Sequence, residues 1–276
     1  MSKKTEKTVV SLLLGLFALY FLFPIYWTVT TSVKPKGSII KLPPEWFPHR
    51  FTWSNYAEVF TQNQIGRVFL NSLLVASATT VVTVLVTALG GYGFSRFRFR
   101  GRNLWIYTTI IVRMIPGLLL IIPYYLMFQK AGLLDSLFGL VIVYVAAAIP
   151  LAIYLFIGFY NEMPGEIFES ARIDGCSEYG AFFRIALPLV VPGIVVTSIL
   201  VFMGAWNEFS LSLILTFSDG KKLLPLAISS LVQTQKDTPL GTLAAAGTLA
   251  MLPAIALSLT TQKYIVEGFT AGAVKG

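Results

Sequence analysis

Six stretches of the chain, residues 9–30, 68–94, 104–128, 137–160, 190–217 and 242–264, stay apolar over about the length that crosses a bilayer as a helix. The runs are continuous and do not alternate apolar with polar residues, so they read as helices and not as the strands of a barrel. With 55% hydrophobic and 12% charged residues and a mean hydropathy of +0.74, the chain cannot cover itself with polar surface in water. The expectation is an all-α integral membrane protein with six transmembrane helices, built as a single transmembrane domain over residues 1–276.

The composition excludes several functions. The net charge of +8 is scattered between apolar blocks with no basic stripe, so no nucleic-acid partner is expected. The single cysteine, Cys176, cannot form an internal disulfide, and the lone His49 has no second histidine, so no metal site is expected. The first apolar run begins with Lys3, Lys4 and Lys7 like a signal peptide. It is longer than a typical signal core and no small-x-small site follows, so it reads as a retained anchor.

Positive charge suggests the orientation. The connection "SRFRFRGR" carries Arg96, Arg98, Arg100 and Arg102, whereas the next loop has only Lys130. That contrast puts residues 95–103, and with six spans both termini, in the cytoplasm. Lys34, Lys36, Lys41, Arg50 and Arg67 in the long first loop dilute the bias. That loop holds an extended Pro-rich piece, "KLPPEWFP", and a short helix beginning near Ser54.

Residues 161–189 then lie on the cytoplasmic side, and they are unusually acidic for this chain: Glu166, Glu169, Asp174 and Glu178. Pro164 and the glutamates favour a helix start, Gly175 a left-handed stop, Ser177 the cap of a second short helix, and Pro188 its limit. A helix of about 11 residues is marginal alone in water. The segment is therefore either a connector lying on the membrane or a surface that meets another protein.

The stretch "ESARIDGCSEYGAFFRIALPLVVPGI" resembles the EAA loop of ABC-importer permeases, with Glu169, Ala171, Asp174, Gly175, Ile185, Leu187 and Pro188 in register. It departs at Ser170 and Cys176, where alanine is usual; both are small. "FPIYWTVTTSVKP", "GGYGFSRFRFRGR", "MIPGLLLIIPYY", "AWNEF" and "YIVEGFTAGAVKG" resemble the carbohydrate-uptake branch, and most of all its maltose-type second permease. The resemblance implies the type I ABC importer permease fold, in the inner membrane of a prokaryote. The implied partners are a second homologous permease, two cytoplasmic ATPase subunits and an extracytoplasmic sugar-binding protein. Glu169, Ser170, Ala171, Asp174, Gly175, Leu187 and Pro188 would form the ATPase-coupling surface. Gly268, Gly272 and Gly276 would belong to a tail reaching the ATPase interface, where residues alone suggest only a frayed terminus. No catalytic residue is expected here, since Gly220-Lys221 lacks the phosphate-loop spacing; ATP and Mg would sit on the partner ATPase.

Polar residues inside apolar runs are costly unless they face a cavity or a partner. Asn71, Arg113, Trp206, Asn207 and Glu208 are the candidates for the translocation path, with an Arg113–Glu208 ion pair as a further expectation. The alternative for each is interhelical bonding without solute contact. Rival functions are a permease for amino acids, peptides or phosphate, a stand-alone secondary transporter, or a membrane scaffold. Few intramembrane acids and no inverted repeat argue against the secondary transporter.

Overall fold

A computed structural model describes residues 3–61, 64–233 and 240–273. The principal helices are α1 (Lys3–Ser32), α2 (Ser54–Thr61), α3 (Ile65–Arg96), α4 (Arg102–Met114), α5 (Ile121–Lys130), α6 (Leu137–Asn161), α7 (Gly165–Ile173), α8 (Val191–Trp206), α9 (Ser210–Leu215), α10 (Leu224–Gln233) and α11 (Leu240–Ala273). No strand occurs among the described residues. Four stretches, Thr5–Ser32, Ile65–Arg96, Leu137–Asn161 and Leu240–Gln262, are each long and apolar enough to cross a membrane alone.

The other two expected spans are bent. The third turns by 93° between Arg102–Met114 and Gly117–Lys130. Pro116 causes the break: it has no N–H to continue the ladder and its ring biases the preceding residue to an extended backbone, which Ile115 adopts at φ −75°, ψ 119°. The fifth turns by 71° between Glu178–Leu189 and Val191–Trp206, with Pro188 and Pro192 flanking the corner. It also ends at Trp206, well short of residue 217; the chain leaves the helix at Asn207 and restarts in α9.

Contacts group the chain into two compact units, residues 1–67 with 227–253 and residues 68–226 with 254–276. In the first, the segment after α1 is a folded piece and not the plain loop its composition suggests. Buried Asn55 donates from Nδ2 to the Ser32 and Lys34 carbonyls, each at 2.9 Å. Lys34 is buried too; its Nζ donates to the Glu45 carbonyl at 2.6 Å and lies 4.3 Å from the Trp27 ring centre. Burial pushes the Lys34 ammonium down, with Glu45 opposing. The "PPEW" piece folds back, placing Trp46 5.8 Å from Trp27.

The second unit is built on α3, α6 and α8. Small residues let the helix backbones close up, the device of membrane packing where there is no hydrophobic drive between helices. A Cβ on Gly91 would stand 2.5 Å from the Phe156 Cβ, and one on Gly193 2.6 Å from the Phe159 ring. At the end of α3 and α6 an aromatic core forms from Tyr92, Phe156, Tyr160, Phe168 and Phe182 with Ala88, Ala181, Ala186 and Val190.

Candidate functional site

The loop between α6 and α8 is held in one shape by four local devices. First, α7 ends in a paired turn. Gly175, at φ 78°, donates to Arg172 O at 3.0 Å, and Cys176 donates to Ala171 O at 2.9 Å, which satisfies two orphan carbonyls. Second, Ser177 caps the next turn, accepting from Gly180 N at 3.2 Å. Third, Arg172 spans the turn, donating from Nε to Glu178 Oε1 at 2.8 Å. Fourth, Phe168 and Phe182, on opposite sides of the turn, both pack on Tyr92, at 6.2 and 5.1 Å between ring centres. Residues 182–186 then run as a π-helix, with Leu187 N bonded five residues back to Phe182 O.

The outward surface of this unit is mixed. Glu169, Ser170, Asp174, Gly175 and Pro188 are exposed, and so are two large apolar side chains, Ile173 at 87% and Tyr179 at 81%. Ala171 and Leu187, grouped with the coupling surface above, are turned to the chain's own core. Ala171 lies three residues from Phe168 on the same helix face and is buried with it; Leu187 is half-buried against the aromatic cluster. In the tail the backbone stays helical through Ala273, so Gly268 and Gly272 are helical residues. Isolated glycines weaken a helix by about 1 kcal/mol each without breaking it. Gly276 lies outside the described residues.

A second feature is a largely apolar cleft of about 290 Å³ among α3, α4, α6, α8 and α9, in which Leu151, Leu200, Val201 and small residues such as Ala147 and Gly204 surround four polar side chains, Thr79, Arg113, Tyr144 and Glu208. An adjoining cleft of about 410 Å³ shares Arg113, Ala147, Glu208 and Leu211. Glu208 is made available because α8 stops. Its carboxylate accepts from the Tyr144 hydroxyl at 3.0 Å and from Leu211 N at 3.0 and 3.1 Å, so it also holds the start of α9. The Thr79 hydroxyl is fully buried without a hydrogen-bond partner on this wall.

Of the five path candidates, only Arg113 and Glu208 line the cleft. The expected ion pair between them is not formed; Glu208 is taken up by neutral donors, and no ion pair among the described residues includes Arg113. Trp206 is buried, stacked on Phe202 one turn earlier at 5.8 Å and edge-on to Phe69 at 5.4 Å. Asn207 caps α8, donating from Nδ2 to Met203 O at 2.9 Å. Asn71 pins a loop, donating to Gly220 O at 3.0 Å and Lys222 O at 3.2 Å.

Sequence reading missed Tyr144, Thr79, Phe168 and Arg96. Phe168 had a signal, since its spacing to Ala171 marks the inward face of a short helix. Arg96 registered only as topological charge. No group of three or more His, Cys, Asp or Glu side chains suited to a metal ion occurs among the described residues.

Comparison with known proteins gives a consistent result. The family model described as the binding-protein-dependent transport system inner membrane component matches residues 84–270. The trehalose transport system permease protein SugB of Mycobacterium tuberculosis is 33% identical over 258 residues, covering 93% of each chain. The diacetylchitobiose uptake system permease protein DasC of Streptomyces coelicolor is 35% identical over 269 residues, 98% of this chain and 95% of the relative. The arabinooligosaccharides transport system permease protein AraQ of Bacillus subtilis is 32% identical over 264 residues, 95% and 93% of the two. Among solved structures, a chain of a bacterial ABC transporter that imports the acidic polysaccharide alginate superposes with a TM-score of 0.81. It is 21% identical, and the match covers 95% of this chain and 97% of that one. The fold is therefore shared with that transporter.

Proposed function

Since the chain belongs to the family of inner membrane components of binding-protein-dependent transport systems, as a multi-pass membrane protein and a transport subunit, we propose that it serves an ATP-driven importer of sugars. The sugar class rests on the relatives, several of which are named for oligosaccharide or disaccharide uptake. A second homologous permease would complete the pathway, an extracytoplasmic binding protein would deliver the sugar, and two cytoplasmic ATPases would supply energy, with ATP and Mg bound there. Both termini and residues 161–189 would face the cytoplasm.

The observation that carries this reading is the shape of the α7 unit. It is braced internally by the paired turn at Gly175 and by Phe168 and Phe182, yet it leaves Ile173 and Tyr179 uncovered beside Glu169 and Ser170. A braced helix with an uncovered, mixed outer face is what docking into a protein groove requires. Glu169 would pair with a basic residue of the ATPase. The cleft at Arg113, Tyr144 and Glu208 is the part of the chain suited to meet a polyhydroxylated solute, because a few donors and acceptors stand on an otherwise apolar wall that can face a sugar's C–H groups.

The test replaces Glu169 and Gly175 together, or deletes residues 166–175, in the complex assembled with its partner ATPase, permease and binding protein. Loss of ATPase co-purification or of ATP-dependent uptake is expected. A variant complex that retains both would overturn the coupling assignment, and uptake that survives ATP depletion but collapses with an ionophore would overturn the importer class.

A further inference from the structure

Arg96, the last residue of α3, is half-buried and holds three elements at once. Its guanidinium carbon lies 3.7 Å from the centre of the Phe168 ring on α7. One terminal nitrogen donates to Tyr160 O at 3.2 Å, within the last turn of α6, and to Met163 O at 3.3 Å just beyond it. The Tyr160 carbonyl belongs to the negative end of α6, where a cation is favoured. No acid completes the arrangement: the ion pairs among the described residues do not include Arg96, and its Nε is buried without a partner. A planar cation that stacks on one element and bonds the end of another does what a lysine cannot.

We propose that Arg96 is the positioning residue that fixes the α7 unit to α3 and α6, so that a push on the outer face of α7 moves these helices as one body. The proposal rests on the reading that α7 docks on an ATPase, and it adds the element through which the load passes. α7 has nine residues, too few to hold its own shape in water. Its inward anchors are Phe168 and Ala171, and Phe168 packs on both the Tyr92 ring and the Arg96 guanidinium. Without Arg96, Phe168 keeps the aromatic core that it shares with Tyr92 and Tyr160, so the chain folds, but the directional tie from the α6 carbonyls to the face of Phe168 is lost and only non-directional packing is left to hold α7 in place.

The experiment uses the whole complex in lipid nanodiscs, with Cys176→Ser and nitroxide labels at Glu166→Cys, in the first turn of α7 and outside the proposed docking face, and at Tyr154→Cys on α6. The label-to-label distance distribution is recorded without nucleotide and after trapping with ADP-vanadate. With Arg96 present, one narrow distribution is expected to persist in both states. With Arg96→Gln, its width should at least double and its mean should shift on trapping, and Arg96→Lys should be as broad. A lysine variant as narrow as the parent would overturn the stacking role, because a positive charge alone would then suffice. No broadening in R96Q, with the ATPase still bound, would overturn the role of Arg96 while leaving the docking of α7 intact. A parent complex that retains no ATPase overturns the importer reading itself, and the load with it.

Discussion

Substituting Gly91 by alanine tests whether the close approach of α3 and α6 fixes the geometry on which the α7 unit is seated. A Cβ at position 91 would lie 2.5 Å from the Phe156 Cβ, 3.2 Å from the Phe156 carbonyl carbon and 3.3 Å from Ile157 N. Carbon atoms pack best at about 3.5–4.0 Å, so about 1 Å of separation is needed. Two of the three atoms met are backbone, and Phe156 is fully buried in the aromatic core, so no flexible side-chain end can swing aside. Overpacking costs about 1–3 kcal/mol, and a backbone clash belongs at the upper end. Alanine's better helix propensity returns up to about 1 kcal/mol. The net is a loss of about 2 kcal/mol, roughly thirtyfold in the folded-to-unfolded ratio. Gly158→Ala on α6 is the internal control: its Cβ would meet nothing within 4 Å, so the same helix-propensity gain appears there without the clash. Thermal or denaturant unfolding of the purified complex should place Gly91→Ala well below the parent and Gly158→Ala at or above it. If Gly91→Ala melted with Gly158→Ala, α3 and α6 would not be in the contact that the clash requires.

Three other perturbations follow from the same structure. Gly175→Ala forces a Cβ into a left-handed backbone at φ 78° and should cost about 1–2 kcal/mol, with faster proteolysis of the loop at residues 161–189 as the readout. Glu208→Gln keeps the size but leaves one acceptor oxygen where the carboxylate now serves Tyr144 and Leu211; uptake should fall at least tenfold while ATPase co-purification is unchanged. Asp135 joins the loop before α6 to the segment after α9, and burial pushes its carboxyl up. The Ser218 hydroxyl, the Ser218 and Phe217 N–H groups and the nearby Lys221 outweigh that effect and hold it below the usual carboxylate range. A depressed folded value contributes stability that is complete above the unfolded value, about 3.9, and is lost as pH falls through the lower folded one. Asp135→Asn should therefore flatten the acid limb of a melting-temperature profile taken from pH 7 to 3; an unchanged limb would refute the assignment.

Much of this protein is written locally in its sequence. Run length and continuity marked six apolar segments as helical, because a backbone in hydrocarbon must bond to itself; four helices are long and apolar enough to cross a membrane alone, and the other two segments are each bent in the middle. The helix–Gly–helix form of residues 161–189 was equally legible, since Pro164, Gly175 and Ser177 act through their own φ angles and neighbouring N–H groups. Pro116 also lay in plain view, but the 93° bend depends on what the freed backbone finds to pack against. What only the tertiary structure decided is which polar and aromatic side chains converge. Trp206, Asn207 and Asn71 carried the same polar signal as Glu208, yet packing turned Trp206 inward and gave the two amides backbone carbonyls to hold. Glu208 met Tyr144, 64 residues away in the chain, and Arg96 at the end of α3 met Phe168 on α7. Local rules set each helix and turn, but contacts over such separations arise only when the helices are assembled, and these contacts define the cleft and the seat of α7.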